Sequence, residues 1–315
     1  MIAGKDKEIA VDVVVMPDPY ASAGTSSQRI EFFEYSHRLF EDLWLAKFNP
    51  EFSKAVMVAC TAPGENLSPS FWTFGGPYGF VRVSAPDEDP YKFDPDGRLA
   101  NCIALSRLAQ PTSLGFEYAA RVRRRANGSR MIIPARPTEL NPHAFVSAEN
   151  LNWLTPGDLS LITALVESYF KSPPPKRVDS AFWYFEAASR SFYVDHRWPL
   201  LVAGLEALVR VSGEKNPKDP NRYPGSTDVF AKRLAQISTM LQQPVLAEQT
   251  LRDIYKRRSN LVHGQGLGQI DGTMRMLYDA TELLLRTILR RAMLDGVFAA
   301  LFASDQAVKQ GLPLV

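Results

Sequence analysis

Apolar residues fall into two patterns along the chain. In the first half they come in short β-branched or aromatic runs: Ile9–Val15, Ala55–Cys60, Ser70–Phe74, Tyr78–Ser84, Ala100–Leu105 and Phe116–Val122. Runs of this length and composition predict buried strands. Gly75-Gly76-Pro77 and the stretch 86–97 supply turns between them. One segment departs from the series: between Ser26 and Phe48, residues Ile30, Phe33, Phe40, Leu43, Trp44 and Phe48 recur at roughly helical spacing, which predicts a helix. After about residue 150 the period is helical throughout. Pro156-Gly157-Asp158 opens a helix carried by Leu161, Leu165 and Tyr169, and Pro173-Pro174-Pro175 stops it. Helices are then predicted over Asp179–Tyr193, Trp198–Ser212, Thr227–Gln242, Leu246–His263 and Asp271–Leu294, joined by loops at Gly213–Gly225 and Gly264–Gly268. The expected fold class is α+β, with a strand-rich N-terminal domain over 1–150 and an all-α helical bundle over 151–315.

A length of 315 residues suits two domains, and a hydrophobic share of 45% against 22% charged excludes a disordered chain. Met1 to Glu8 has no apolar core of a signal peptide, and the apolar stretch Leu277–Leu289 is interrupted by Glu282 and Arg286, so no membrane span is expected. Cys60 and Cys102 lie far apart and form no ligand pattern. They suit a reducing cytoplasm, with a single bridge as the alternative. Charge is uneven: residues 1–170 hold 16 Lys and Arg against 20 Asp and Glu, and residues 171–315 hold 20 against 14. The second half therefore favours an anionic partner. Gly264-Gln265-Gly266-Leu267-Gly268 follows a helix instead of joining a strand to one, which argues against a phosphate-binding loop. Arg121-Val122-Arg123-Arg124-Arg125 reads as a solvated strand end, with a nucleic-acid contact as the alternative. No metal site and no cofactor is expected.

The segment Leu251 to Gly264 carries the chemistry. At about 100° per residue, Leu251, Ile254, Tyr255, Leu261 and Val262 share one apolar face, with Arg258 in its middle and Arg257 and Asn260 pointing elsewhere. An arginine there must find a carboxylate, snorkel, or face an anion, because an unpaired buried charge is costly. His263 closes the helix where the dipole favours its charged form, and Gly264 is a good residue to follow it.

The run Ile254-Tyr255-Lys256-Arg257-Arg258-Ser259-Asn260-Leu261-Val262-His263-Gly264 resembles the HEPN family, marked by an arginine, four to six residues, then a histidine near a helix end. It looks most like the Apea-like branch. Trp198 to Leu208 resembles that branch's acidic helix, and Phe230-Ala231-Lys232-Arg233-Leu234 fits the helix between them. The resemblance covers roughly Asp179 to Leu294. It implies a helical bundle and, for many members, a metal-independent endoribonuclease of the toxin or phage-defence type whose site forms where two copies meet. On that pattern Arg258 and His263 are the catalytic pair, Glu206 holds Arg258, Ser259 and Asn260 orient the phosphate, and Arg257 is a further supporting residue. RNA would be the partner, a homodimer the working unit, and residues 1–150 a sensor, a substrate-selecting module or the contact for a regulatory partner. The family's other form keeps the fold without catalysis, as a module that binds RNA or nucleotide or scaffolds a dimer. Ser259 stands where the catalytic form often has Asn, Asp or His.

Overall fold

A computed structural model describes residues 10–15, 33–48, 50–60, 78–84, 88–89, 92–110, 118–124, 129–135, 156–191, 193–216, 219, 221–242, 245–264 and 271–314. The chain divides into two compact units, residues 1–167 and 168–315. The boundary expected near residue 150 lies outside the described residues.

The first unit contains six strands, β1 (Ala10–Val15), β2 (Phe33–Arg38), β3 (Leu43–Phe48), β4 (Tyr78–Val83), β5 (Tyr118–Arg124) and β6 (Arg130–Ala135). They form one sheet in the order β2-β3-β4-β1-β5-β6, antiparallel at every pairing. Helix α1 (Pro50–Cys60) covers one face: its Phe52 and Val56 pack with Trp44, Ala46, Phe48, Val81, Ala120 and Val122. Side chains of the opposite parity, Leu43, Leu45 and Phe80, are also buried, and helix α2 (Arg98–Ala109) packs on β3 and β4. The carboxylate of Asp94 caps α2, accepting from the backbone N–H of Leu99 at 3.0 Å and of Ala100 at 3.2 Å.

Three segments differ from what their apolar pattern predicts. Residues 33–48 are a β-hairpin, not a helix. Leu43 to Ala46 are buried without interruption because β3 is covered on both faces, so the alternation that marks a one-sided strand is missing. Ala55–Cys60 belongs to α1. Pro50 fits its first turn, and Phe52 and Val56, four residues apart, are buried while Val58 is exposed. Ala100–Leu105 lies inside α2, which is buried from Cys102 to Ala109 and so shows no polar face. Strand β6 was not foreseen: it carries Pro134, tolerated because β6 is an edge strand. The predicted strand Ser70–Phe74 lies outside the described residues. Cys60 and Cys102 are both free thiols.

Arg121 is 1% exposed and is no solvated strand end. Its guanidinium meets Glu88 Oε1 at 2.5 Å, and Arg82 takes both oxygens of the same carboxylate at 2.5 and 2.7 Å. Burial alone would raise the Glu88 carboxyl, but its hydrogen bonds and charge pairing with Arg82 and Arg121 outweigh burial and bring it down to about 2. A depressed carboxyl contributes stability at neutral pH that is lost as pH falls through the folded value. Glu88→Gln is therefore expected to cost about 1.5–3 kcal/mol at pH 7. Between the ordinary carboxylate range and about pH 2, the variant should lose less stability than wild type. Urea unfolding across that range checks both.

The second unit is mostly helical. After the Pro173-Pro174-Pro175 break come α4 (Lys176–Arg190), α5 (Val194–Val209), α6 (Ser226–Leu241), α7 (Glu248–Val262), α8 (Gly272–Leu294), α9 (Gly296–Ala300) and α10 (Asp305–Gly311); α3 (Pro156–Lys171) precedes the break and lies mostly in the first unit. Among the described residues past 150, the β-structure is a single isolated bridge between Asn216 and Asp219. Helix α8 packs against α4, α5, α6 and α7 around Phe182, Phe185, Trp198, Leu205, Phe230 and Leu285, all 0–1% exposed. Short α9 and α10 were not foreseen; Asp295 and Ser304 cap them. Among the described residues no helix is long and apolar enough to cross a membrane.

Gly204 lets α5 approach its neighbours. A Cβ there would lie 2.8 Å from Leu285 Cδ2 and 3.2 Å from the Ala181 carbonyl oxygen, the latter a backbone atom. Gly204→Ala should destabilise by about 1–3 kcal/mol through overpacking, despite alanine's better helix propensity. A lowered midpoint in chemical unfolding would show it.

Candidate functional site

Helix α7 is anchored by Leu251 and Ile254, both fully buried. One turn on, Tyr255 packs its ring 5.0 Å from that of Phe230, and three residues later Arg258 lies on the same face. Both reach across to Glu206 of α5. The Tyr255 hydroxyl donates to Glu206 Oε1 at 2.9 Å, and the Arg258 guanidinium stands 3.2 Å from Oε2 and 5.8 Å from the Tyr255 ring. Both carboxylate oxygens are thus occupied. Burial, then the bond to Glu206, raises the Tyr255 phenol above its ordinary value, keeping it protonated as a donor. Arg258 remains 27% exposed, although its buried Nε has no hydrogen-bond partner.

His263 stands at the C-terminal end of α7, its N–H bonded to the Ser259 carbonyl at 3.1 Å. Gly264 follows with φ +79° and returns its N–H to Leu261 at 3.0 Å, a left-handed position that a side chain would strain. The imidazole is exposed and has no hydrogen-bond partner among the described residues. Arg257 is exposed, while Ser259 and Asn260 are half-buried. Val262, expected on the apolar face, is 55% exposed, so the end of α7 is not covered as its beginning is.

Arg258 and Glu206 line an open cleft of about 710 Å³ within the second unit; His263, Ser259, Asn260 and Arg257 do not. Two arginines hold the end of α5 beside the cleft; Arg177 lines it and the buried Arg233 does not. The last carbonyls of α5 lack intrahelical partners. Arg177 of α4 supplies them at Ala207 (3.0 Å) and Arg210 (2.7 Å), and also pairs with Asp305. Arg233 of α6, 0% exposed, donates to Val209 at 2.8 Å, to Leu312 at 2.8 Å and to Glu214 Oε1 at 2.6 Å. These cations also complement the negative end of the α5 dipole.

The structure therefore joins Glu206, Tyr255 and Arg258 in one hydrogen-bonded group and sets His263 apart at the helix end. Sequence reading missed Arg177, Arg210 and Tyr223 of the cleft, which sit at helix ends or in the Gly213–Gly225 loop, where no periodicity draws attention to them. Arg233 was recognised only within a motif, without its role. Among the described residues no group of three or more His, Cys, Asp and Glu side chains is placed to hold a metal ion. Chemically, the arrangement offers a positioned guanidinium on a cleft wall and a separate, solvent-facing imidazole at the end of the same helix. No protein-family model, no curated protein and no solved structure matches this chain.

Proposed function

We propose that the helical unit is a HEPN-type domain of the Apea-like kind, working in the cytoplasm as a homodimeric, metal-independent endoribonuclease of the toxin or phage-defence type. The supporting observation is the division of labour on α7: Arg258 is fixed by Glu206, while His263, five residues on, is exposed and unpartnered among the described residues. Internal transesterification of RNA needs a base for the 2′-hydroxyl, an acid for the departing 5′-oxygen, and cationic support for the phosphorane. A histidine serves the first two roles and a guanidinium the third. One His263 cannot readily be base and acid in the same step, so a second copy supplies the other, with exposed Val262 beside it as apolar contact surface. Ser259, Asn260 and Arg257 would steady the RNA phosphate. The first unit would select substrate, sense a trigger or receive a regulatory partner. Incubating the purified chain with a pool of tRNA and mRNA in EDTA tests this: wild type should cleave and His263→Ala should not. Cleavage by a His263→Ala dimer would overturn the assignment.

A second reading, binding without cleavage, is favoured by one observation: Arg258 already has a carboxylate partner, and His263 does not line its cleft. It predicts RNA or nucleotide binding by wild type and His263→Ala alike, with no product from either.

A further inference from the structure

The Glu206 carboxylate is shared between two donors, one oxygen to each. The Tyr255 hydroxyl donates to Oε1 at 2.9 Å, and the Arg258 guanidinium stands 3.2 Å from Oε2. A guanidinium and a carboxylate left to themselves favour a side-by-side pair, two N–H groups to two oxygens. Here the phenol occupies one oxygen, so Arg258 meets the carboxylate through the other. Its buried Nε has no hydrogen-bond partner among the described residues, and 27% of the side chain stays open to solvent. Without the hydroxyl, the terminal torsion of Glu206, which is broad and two-fold, would be free to turn.

Tyr255 is itself firmly seated. Its ring packs 5.0 Å from that of Phe230, which is 1% exposed, and the Ser226 side chain hydrogen-bonds to the phenol from the start of α6. Glu206, Arg258, Ser226 and Phe230 line the cleft, whereas Tyr255 does not. The phenol therefore works from behind the cleft wall, through Glu206.

We propose that Tyr255 is a positioning residue: its hydroxyl holds one oxygen of Glu206, which limits Arg258 to a single-oxygen contact and leaves the rest of its fork for a substrate phosphate. The consequence for cleavage rests on the endoribonuclease reading above; the placement of the guanidinium does not.

The test compares the full chain with Tyr255→Phe, which keeps the ring and removes only the hydroxyl. In the RNA cleavage assay kcat should fall about ten- to a hundredfold with KM within about twofold, as expected when a group that acts in the transition state is misplaced. In an Arg258→Ala background the same change should cost less than about twofold, because the hydroxyl acts through that arginine; a merely structural role would be additive. A second readout does not depend on activity. In protein labelled with 15N-arginine, the Arg258 Nε–Hε signal, identified by its loss in Arg258→Ala, should report an ordered side chain in wild type. In Tyr255→Phe its heteronuclear NOE should fall toward that of Arg222, which is 82% exposed. If wild type does not cleave, the ribonuclease reading fails and the Arg258 signal alone decides the role of Tyr255. An Arg258 signal as ordered in Tyr255→Phe as in wild type overturns the proposal. So does cleavage by Tyr255→Phe at the wild-type rate, or a full additional loss in the Arg258→Ala background.

Discussion

Arg233→Met is expected to lower the unfolding free energy of the helical unit by about 3–5 kcal/mol, because it removes one partner of a buried ion pair and leaves the others stranded. The guanidinium is 0% exposed and serves three acceptors on three segments: Val209 at the end of α5, Glu214 in the following loop and Leu312 near the end of the described chain. Methionine fills much of the volume but answers none of them. The Val209 and Leu312 carbonyls would lose their donor, and Glu214 its cation. Arg233→Lys should recover little, since a single ammonium cannot span the fork's three directions. Adding Glu214→Gln to Arg233→Met should restore part of the loss, because it removes the unmatched carboxylate. Urea unfolding followed by far-ultraviolet circular dichroism reads these values. A loss below about 1 kcal/mol for Arg233→Met would show that the end of α5 is held by something else.

The second large effect is on chemistry rather than stability. His263→Ala should reduce RNA cleavage by about 10²–10⁴-fold, the usual contribution of a general acid or base. Its unfolding free energy should stay within about 0.5 kcal/mol of wild type, as expected for an exposed side chain without partners. Arg258→Ala should also suppress cleavage but with a stability cost, since Glu206 would keep the Tyr255 hydroxyl and lose its guanidinium. The contrast separates the two roles. A structural histidine would shift unfolding along with activity, whereas a proton carrier would leave the fold unchanged.

Much of the helical unit was legible because its helices are one-sided. Leu251 and Ile254 are buried, Lys256 and Arg257 are exposed, and the helix ends with a left-handed glycine at Gly264, as periodicity and capping indicate. That Arg258 must find a carboxylate, snorkel or face an anion was legible for the same reason, whereas Glu206 as its partner came from the family resemblance. Periodicity failed where burial is two-sided. Leu43 to Ala46 in a covered strand and Cys102 to Ala109 in an enclosed helix show the same unbroken apolar run, and the run alone does not distinguish them. Arg121 was misread for a related reason. Arg121 is buried by pairing with Glu88, 33 residues away in sequence, which no local pattern records. The end of α5 shares this property: Arg177 and Arg233 come from different helices and donate to the carbonyls of Arg210 and Val209.

Under the proposed function His263 transfers protons in RNA cleavage, and the most direct measurement is the chemical nature of the product ends. Wild type incubated with a mixed RNA pool in EDTA is expected to leave 2′,3′-cyclic phosphate and 5′-hydroxyl ends, and His263→Ala is expected to leave the pool intact. The same cyclic ends appearing at an equal rate with His263→Ala, or an intact pool with both proteins, would contradict the claim.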